Sequence, residues 1–445
     1  MRDPRAVELA NSRLVPLSGA NADFDPLLRA IGNASYVLIG EASHGTHEFY
    51  SIRAEITKRL IQERAFVAVA VEADWPDAHR LDRYVRGRSR DSSPRLALGD
   101  FERFPRWMWR NRDVENFIDW LRRYNDSRSN SAPEVGFFGL DLYSMNTSRA
   151  EVIQYLDRVD PEAARRARER YACFDHFGED EQAYGMAAGF GVSESCENEV
   201  VQQLTDLRRR ACEYMHRDGL VAEDDFFSAE QNARLVRNAE EYYRSMFRGR
   251  VSTWNLRDRH MAETLHALAG WLERRFGFSR IVVWEHNSHL GDARATEMGR
   301  RGEYNVGQLA RERYPSQVFN IGFTTYTGTV TAASDWGADS ETKRVRPALP
   351  GSWEELFHQA ASPRFLLNFR DDRTLSAEFA GERRERAIGV IYRPESERIS
   401  HYFSARMPEQ FDAVIHLDTT HAVEPLDAAS EVFEDMVPET FPSGV

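Results

Sequence analysis

The sequence predicts an α/β protein with a largely parallel central sheet that is flanked by helices and interrupted by a large helical insertion. Four apolar runs show no polar alternation, which is typical of strands covered on both faces. Each run also ends in ionisable residues. The runs are YVLIGEASHGTH (36–47), FVAVAVEAD (66–74), VGFFGLDLY (135–143) and IVVWEHNSH (281–289).

The first two runs predict a compact βαβ unit. After the first strand, Phe49, Ile52, Ile56 and Leu60 are spaced three and four residues apart, which indicates a helix from about 46 to 64 with one apolar face. Thr46 is placed to cap that helix. The second strand follows directly, and such crossovers are right-handed.

The remaining elements follow in order along the chain. We predict a polar loop at 86–104, an aromatic helix near 105–121, the third strand at 135–140 and the fourth at 281–284. Residues 146–277 read as nearly all helical, with a glycine-rich break at 183–195 and a hairpin of 196–217 with 224–248. An extended ribbon at 318–332 precedes shorter strands at 365–369, 388–393 and 413–417.

These elements divide the chain into three parts. Residues 1–145 form the first half of the α/β core, and 278–445 form its second half with the C-terminal region. Residues 146–277 form the helical insertion, for which a lid or a cleft wall is the natural role.

Composition narrows the class of protein. The chain has 445 residues, of which 42% are hydrophobic and 29% charged, and a net charge of −13. This acidic balance argues against binding to nucleic acid, which needs a basic surface. No apolar stretch is long enough for a membrane span, and the N-terminus lacks the features of a signal peptide. Three widely spaced cysteines fit a reducing compartment, so we expect a cytoplasmic protein.

The ionisable residues after the four strands are the main functional signal. In a parallel sheet, the ligand crevice lies beyond the carboxyl ends of the strands, so we expect these side chains to meet in one pocket. Structural need alone rarely places so many there, because burying an unpaired charge is costly. The residues are Glu41, His44, Glu72, Asp141, Glu285, His286 and His289.

His44 is the predicted general base. It lies in a turn between Gly40 and Gly45, where Glu41 can orient its ring and raise its basicity. Arg53 lies about 40° from Phe49 on the helical wheel, at the edge of the buried face. A guanidinium there needs a carboxylate, which Glu41, Glu72 or a substrate could supply; a purely structural pair carries equal weight.

Other residues are candidates for the pocket wall. Glu72 is favoured over Asp74 as the inward carboxylate, because Asp74 suits a helix cap. Arg257 and Asp258 fall on the apolar stripe of the helix at 253–276, either at the pocket edge or in a structural ion pair. The further predicted substrate-binding residues are Trp109, Arg110 and Asp141.

Two H-x-x-H patterns, at 44–47 and 286–289, raise the alternative of a metal site. Neither pattern is the H-E-x-x-H helix, and loops at strand ends do not fix ligand spacing. We therefore favour chemistry without a cofactor, with metal ligands at Glu41, His44, Glu72 and His286 as the alternative. No nucleophile elbow and no Walker loop occurs in the sequence.

Taken together, these motifs resemble the erythromycin esterase family. The resemblance spans about residues 35–335 and includes GEASHGTHEFY (40–50), VEADW (71–75), MWRN (108–111), WEHNSHLGD (284–292) and IGFTTYTGTVTA (321–332). It implies an α/β fold with a helical wall over a cleft, and hydrolysis of a macrolide ester by activated water without an acyl-enzyme. It places the essential base on His44. The supporting groups implied are Glu41, Arg53, Glu72, His286 and His289.

The hypothesis at this point is a hydrolase of an ester or lactone, acting on a small-molecule substrate that could be a macrolide. Three alternatives remain open: a metal-dependent hydrolase, a biosynthetic enzyme that forms a lactone or removes water, and a binder of bulky apolar ligands. The number of convergent titratable groups argues against a simple binder.

Overall fold

The structure is a computed structural model that describes residues 3–129, 132–178, 180–215, 220–246 and 250–427. Within these residues, the strands are β1 (Val15–Pro16), β2 (Tyr36–Ile39), β3 (Ala68–Asp74), β4 (Gly136–Asp141), β5 (Ile281–Trp284), β6 (Val318–Ala333), β7 (Ser340–Val345), β8 (Arg364–Asn368), β9 (Arg383–Arg386), β10 (Tyr402–Ala405) and β11 (Ala413–Thr420).

Helices cover much of the rest of the described chain. They are α1 (Pro4–Arg13), α2 (Asp25–Ile31), α3 (His47–Arg64), α4 (Trp75–Val85), α5 (Pro94–Ala97), α6 (Arg112–Asp126), α7 (Met145–Val159), α8 (Pro161–Tyr171), α9 (Glu181–Gly189), α10 (Glu197–Arg209), α11 (Ala211–Met215), α12 (Leu220–Ser245), α13 (Arg250–Phe276), α14 (Asn287–Leu290), α15 (Glu297–Arg300), α16 (Val306–Arg313), α17 (Trp353–His358), α18 (Arg373–Glu378), α19 (Glu397–Ser400) and α20 (Met407–Gln410).

The chain forms two compact units. The first unit comprises Met1–Ala70, Arg83–Gly136 and Ser279–Val445. Its sheet has the strand order β1-β8-β11-β6-β2-β5, with β7 pairing the second half of β6. Strands β11, β6, β2 and β5 run parallel, which confirms the predicted fold class.

Strand β6 sets the register of this sheet. Ile39 of β2 pairs with Ile321, and β11 pairs with β6 from Ile321 to Gly328. At the other edge, the N–H of Val67 donates to the carbonyl of Arg280, and the N–H of Gly136 donates to the carbonyl of Val67. The segment that leads into β3 therefore lies between the segments that lead into β5 and β4. All four residues of β2 are buried, as expected for a strand covered on both faces.

The second unit comprises Val71–Asp82 and Phe137–Phe278. It contains the C-terminal parts of β3 and β4 and the helices from α7 to α13. Helix α12 contacts α7, α9, α10, α11 and α13, so it is the central helix of this unit. The prediction of an almost wholly helical segment is confirmed, and its role as a lid or cleft wall stays a prediction.

Some predicted elements differ from the structure. The segment 388–393 is not a strand: only the isolated bridges of Ile388 with Ser43 and Ile391 with Ala333 form there. The predicted break at 183–195 begins later, because α9 continues to Gly189. The aromatic helix starts only at Arg112, where the side chain of Asn111 caps it by accepting from Val114 N.

Cysteine pairing also differs from the sequence interpretation. The sparse cysteine count predicts reduced thiols, and this prediction is wrong: Cys173 and Cys196 form a disulfide with their Cα atoms 6.0 Å apart. Cys212 is free and exposed. The described helices include none with the length and apolar character that a bilayer crossing requires.

Candidate functional site

The turn after β2 carries a histidine and a carboxylate in direct contact. Nδ1 of His44 lies 2.9 Å from Oε1 of Glu41, and both side chains are buried. A Cβ atom on Gly45 would lie 1.9 Å from the carbonyl oxygen of Thr331, so the turn packs directly on the backbone of β6. Since a carboxylate accepts the Nδ1 proton, the lone pair of neutral His44 is on Nε2.

Arg53 binds the other oxygen of the same carboxylate. Its Nη2 lies 2.8 Å from Oε2 of Glu41, and its side chain is fully buried. The guanidinium also lies over the rings of Tyr50 and Trp284, 4.4 Å and 5.2 Å from their centroids. Of the partners that the sequence allowed for Arg53, the structure shows Glu41. The charge of Glu41 is thereby compensated inside the protein.

Thr46 occupies the cap position of α3, but its hydroxyl hydrogen-bonds with the hydroxyl of Ser43 and makes no side-chain cap bond. The predicted cap is therefore wrong in its chemistry. This hydrogen bond closes the turn that carries His44.

His286 lies beside His44, with ring centroids 4.9 Å apart. Its Nδ1 accepts a hydrogen bond from the backbone N–H of Ser288 at 3.2 Å and contacts the Ser288 hydroxyl at 2.8 Å. The proton of neutral His286 therefore resides on Nε2. The two histidines thus have opposite tautomers, one with a basic Nε2 and one with a donating Nε2.

His289 and Glu285 belong to the same segment of the chain. Both are fully buried; Glu285 directly follows β5, and the N–H of His289 donates to the carbonyl of His286 at 3.0 Å. A catalytic role for His289 stays a prediction.

A second cluster of predicted residues lies in the second unit, around Arg257. Its guanidinium lies 2.7 Å from both Oε1 of Glu72 and Oδ2 of Asp141, and all three side chains are buried. Burial opposes the charge of Arg257, but the carboxylates outweigh burial and hold the pKa of Arg257 well above its usual value. Asp258, the next residue of α13, is fully buried as well.

Asp74, set aside in the sequence analysis as a helix cap, links two loops of the second unit. Its carboxylate accepts from the N–H of Tyr143 at 2.5 Å and from the hydroxyl of Ser144 at 2.7 Å. It therefore holds the end of β3 against the turn that follows β4.

Trp109 and Arg110 lie in the first unit. Trp109 is buried with its ring 6.5 Å from that of Tyr50, and Arg110 forms a bidentate ion pair with Asp427 at 2.6 and 2.8 Å. Their predicted contact with substrate stays a prediction, as does that of Arg257, Asp258 and Asp141.

In the structure, predicted site residues contact one another within two groups. We call Glu41, His44, Arg53 and His286 the first group, and Glu72, Asp141 and Arg257 the second group. Each group lies within one unit. The catalytic role predicted for Glu72 stays a prediction.

Two buried titratable residues of the second unit are not among the candidates that the sequence predicts. His260 is buried, and burial lowers its pKa to about 3. Its Nδ1 contacts the side-chain amide of Asn238 at 2.8 Å. Tyr143 stacks over Arg257 at 5.1 Å, and burial raises its pKa well above the usual value. The spacing of His260 three residues after Arg257, on the same face of α13, was the available signal.

Within the residues that the structure describes, no three His, Cys, Asp or Glu side chains are arranged to hold a metal ion. The metal-dependent alternative stays a prediction.

An α/β sheet with a buried carboxylate–histidine pair beyond a strand end has the character of an enzyme site for acid–base chemistry. Comparison with known proteins gives the family. The family model named Erythromycin esterase matches residues 61–420. The chain belongs to the erythromycin esterase family, which confirms the resemblance and supports a hydrolase.

Individual relatives are distant. YbfO of Bacillus subtilis (strain 168), whose name assigns it provisionally as a hydrolase, is 22% identical over 430 residues, covering 91% of this chain and 88% of YbfO. A solved structure described as a succinoglycan biosynthesis protein has a TM-score of 0.76 at 22% identity, covering 95% of this chain and 98% of that one. A mutant of the erythromycin esterase EreC in its open conformation has a TM-score of 0.67 at 17% identity, covering 94% and 99%. At these identities the structures show a shared fold.

Proposed function

We propose that the chain hydrolyses a carboxylic ester or lactone with a water activated by His44. The observation that carries this proposal is the buried series Arg53–Glu41–His44 with the ring of His286 at 4.9 Å. Membership of the erythromycin esterase family supports the same reaction, and a macrolide lactone is the first substrate to test.

The two tautomers support a division of labour. Nε2 of His44 takes a proton from water, and the water oxygen attacks the ester carbonyl. Nε2–H of His286 donates a hydrogen bond to the oxygen that becomes negative. When the tetrahedral intermediate collapses, the proton on His44 passes to the leaving alkoxide. The products are an acid and an alcohol, and the enzyme returns to its starting protonation state.

Glu41 and Arg53 serve His44. The carboxylate of Glu41 holds Nδ1–H and stabilises the imidazolium that forms during proton transfer. Arg53 compensates the carboxylate, so that Glu41 is not a buried charge without a cationic partner. General acid–base help of this kind contributes roughly 10²–10⁴-fold, and positioning must supply much of the rest.

The test is mass spectrometry after incubation with a panel of 14-membered macrolides and simple esters. Hydrolysis of a lactone adds the mass of one water, and the intact mass of the enzyme should show no acyl adduct during turnover. His44→Gln should lose roughly 10²–10⁴-fold in kcat. His47→Gln is the matched control, because His47 is half-exposed and pairs with Asp113. Full turnover by folded His44→Gln would refute the mechanism.

A second candidate is a biosynthetic reaction on the same groups, in which a hydroxyl takes the place of water. The observation favouring it is the similarity to the solved structure described as a succinoglycan biosynthesis protein. Adding hydroxy acids to the panel distinguishes the two, because forming a lactone from a hydroxy acid lowers the mass by one water.

The metal-dependent alternative is tested separately. Elemental analysis of protein purified without added metal, followed by assay after dialysis against a chelator, should leave activity unchanged if His44 alone activates the water. Loss of activity on chelation, restored by a metal ion, would favour the alternative.

A further inference from the structure

Asn287 is buried between the two turns that carry the histidines. It directly follows His286, and its backbone N–H donates to the carbonyl oxygen of Glu41 at 2.8 Å. A single residue thus hydrogen-bonds to the turn of His44 and is covalently joined to His286.

The side chain of Asn287 also completes the sheet. Strand β2 pairs with β6 up to Gly40, whose N–H donates to Ile321 at 2.8 Å. Two residues further along β6, Nδ2 of Asn287 donates to the carbonyl of Phe323 at 2.8 Å. Oδ1 of Asn287 accepts from the N–H of Phe323 at 3.3 Å. The amide therefore takes the place that the backbone of β2 would otherwise occupy, and a backbone pair on β6 is satisfied.

Gly40 provides the space for this amide. A Cβ atom at Gly40 would lie 2.2 Å from Oδ1 of Asn287, which no side chain could tolerate without moving the amide. The requirement for glycine at this point comes from the close approach of Asn287 and not from the backbone conformation of Gly40.

Glu385 supports the amide from the other side. Its Oε1 lies 3.4 Å from Nδ2 of Asn287, and the side chain is fully buried on β9. Burial, with the nearby carboxylate of Glu354, raises the pKa of Glu385 well above its usual value, which favours the uncharged acid. In its uncharged form, Glu385 accepts from Nδ2 without adding a negative charge beside the amide.

We propose that Asn287, seated against Gly40 and supported by Glu385, is a positioning residue that sets the spacing of His44 and His286. This inference rests on the proposed function and extends it to residues that do not touch the substrate. Misplacement of a reacting group by about 1 Å can cost about 100-fold in rate. The side-chain amide holds the turn of His286 to β6, and the backbone N–H of Asn287 holds it to the turn of His44.

Two variants disturb the amide in different ways. Asn287→Asp keeps the shape and the acceptor for Phe323 N–H but loses the donor. Gly40→Ala keeps the amide but forces it to move. We expect each folded variant to lose about 10–100-fold in kcat with a small change in KM. Nitrogen NMR of the histidine rings should show altered tautomer populations or titration of His44 and His286.

Asn125 offers a matched control. Its side chain makes the same two-bond pair with the N–H and C=O of Val135, at 2.9 Å each, elsewhere in the first unit. Asn125→Asp should lower the melting temperature without changing kcat or the ring signals of His44 and His286. Glu385→Gln, which keeps a side-chain oxygen able to accept from Nδ2, should remain close to wild type, whereas Glu385→Leu should resemble Asn287→Asp.

Wild-type kcat together with unchanged histidine signals in folded Asn287→Asp and Gly40→Ala would overturn the inference. So would equal effects of Asn287→Asp and Asn125→Asp on kcat. If the wild-type protein hydrolysed nothing in the ester panel, the proposed function would fail. The NMR comparison needs no turnover, so it would still report whether Asn287 positions the two rings.

Discussion

Arg53 and Glu41 form a fully buried ion pair, with Nη2 of Arg53 2.8 Å from Oε2 of Glu41. The second oxygen of the same carboxylate contacts His44. Glu41 therefore joins a structural task, compensating a buried cation, to the proposed catalytic task of orienting the base. These two tasks can be separated by mutation.

Glu41→Gln should reduce both stability and turnover. Leaving Arg53 buried without its carboxylate should lower the free energy of unfolding by about 3–5 kcal/mol, and loss of the oriented base should lower kcat by roughly 10²-fold or more. Urea unfolding and ester hydrolysis measure the two effects. Glu55→Gln, on the exposed face of α3, is the control and should change stability by less than about 0.5 kcal/mol.

The double variant Glu41→Leu with Arg53→Met separates the tasks further. It removes both charges, so stability should recover relative to Glu41→Gln while activity stays low. Recovery of activity in this double variant would contradict the role of Glu41 in orienting His44.

Arg257→Gln should destabilise the second unit. Glu72 and Asp141 would lose a shared cationic partner in a buried site, at a cost of about 3–5 kcal/mol in unfolding free energy. Chemical denaturation followed by circular dichroism measures this. Arg259→Gln, two residues along α13 and paired with Glu241 at a partly exposed position, should have an effect below about 0.5 kcal/mol. Equal effects of the two variants would contradict the burial argument.

His260 should make the protein lose stability on mild acidification. Its pKa is about 3 in the folded protein and 6.5 when unfolded, so between these values the unfolded chain binds one more proton. The contribution of a neutral His260 is therefore present above pH 6.5 and is lost as pH falls towards 3, by up to about 1.4 kcal/mol per pH unit. Unfolding free energies measured at several pH values should show a shallower acid slope for His260→Gln.

His47 provides the opposite sign. Its hydrogen bond with Asp113 raises its pKa, so the stability that it contributes is present below pH 6.5 and is lost as pH rises through the folded-state value. In His47→Gln, the difference in unfolding free energy from wild type should be largest at acidic pH.

For His260→Gln, an unfolding free energy that changes with pH as steeply as that of wild type would show that burial of His260 carries no proton linkage.

Reduction should weaken the helical unit. The disulfide between Cys173 and Cys196 closes a loop with a sequence separation of 23, which corresponds to about 3 kcal/mol of stabilisation in the chain-entropy account. Adding a thiol reductant, or making Cys173→Ala with Cys196→Ala, should lower the melting temperature of the second unit. Cys212→Ser, at an exposed free cysteine, should leave it unchanged. No effect of reductant on wild type would show that the disulfide contributes nothing.

The central strands were predictable because strands buried on both faces appear in the sequence as runs of apolar residues without polar alternation. Residues 281–284 carry no polar side chain, and the predicted strand has the bounds of β5. The segment 388–393 is also apolar over its first four residues, but its backbone contacts Ser43 and Ala333 only at single bridges. Which backbone lies beside a segment depends on tertiary packing, and composition does not record that.

In the site, too, local contacts were predictable from the sequence, and contacts that depend on tertiary packing were not. Glu41 and His44 are three residues apart in one turn, so their contact followed from local geometry. The pairing of Asn287 with Glu385 spans 98 residues and depends on β9 reaching the turn after β5. Ser288 sets the tautomer of His286 through a backbone N–H, a donor that every residue except proline carries and that no motif reveals.

Strand β6 has a consequence for how the protein can change. The turn of His44 meets β6 at Thr331, the amide of Asn287 meets it at Phe323, and β2 meets it at Ile321. Inserting or deleting one residue between Ile321 and Thr331 would reverse the facing of every later side chain and separate these attachments. Insertions and deletions should therefore be tolerated in the surface loops and excluded from residues 321–331 of β6, whose length fixes the spacing of the three attachments.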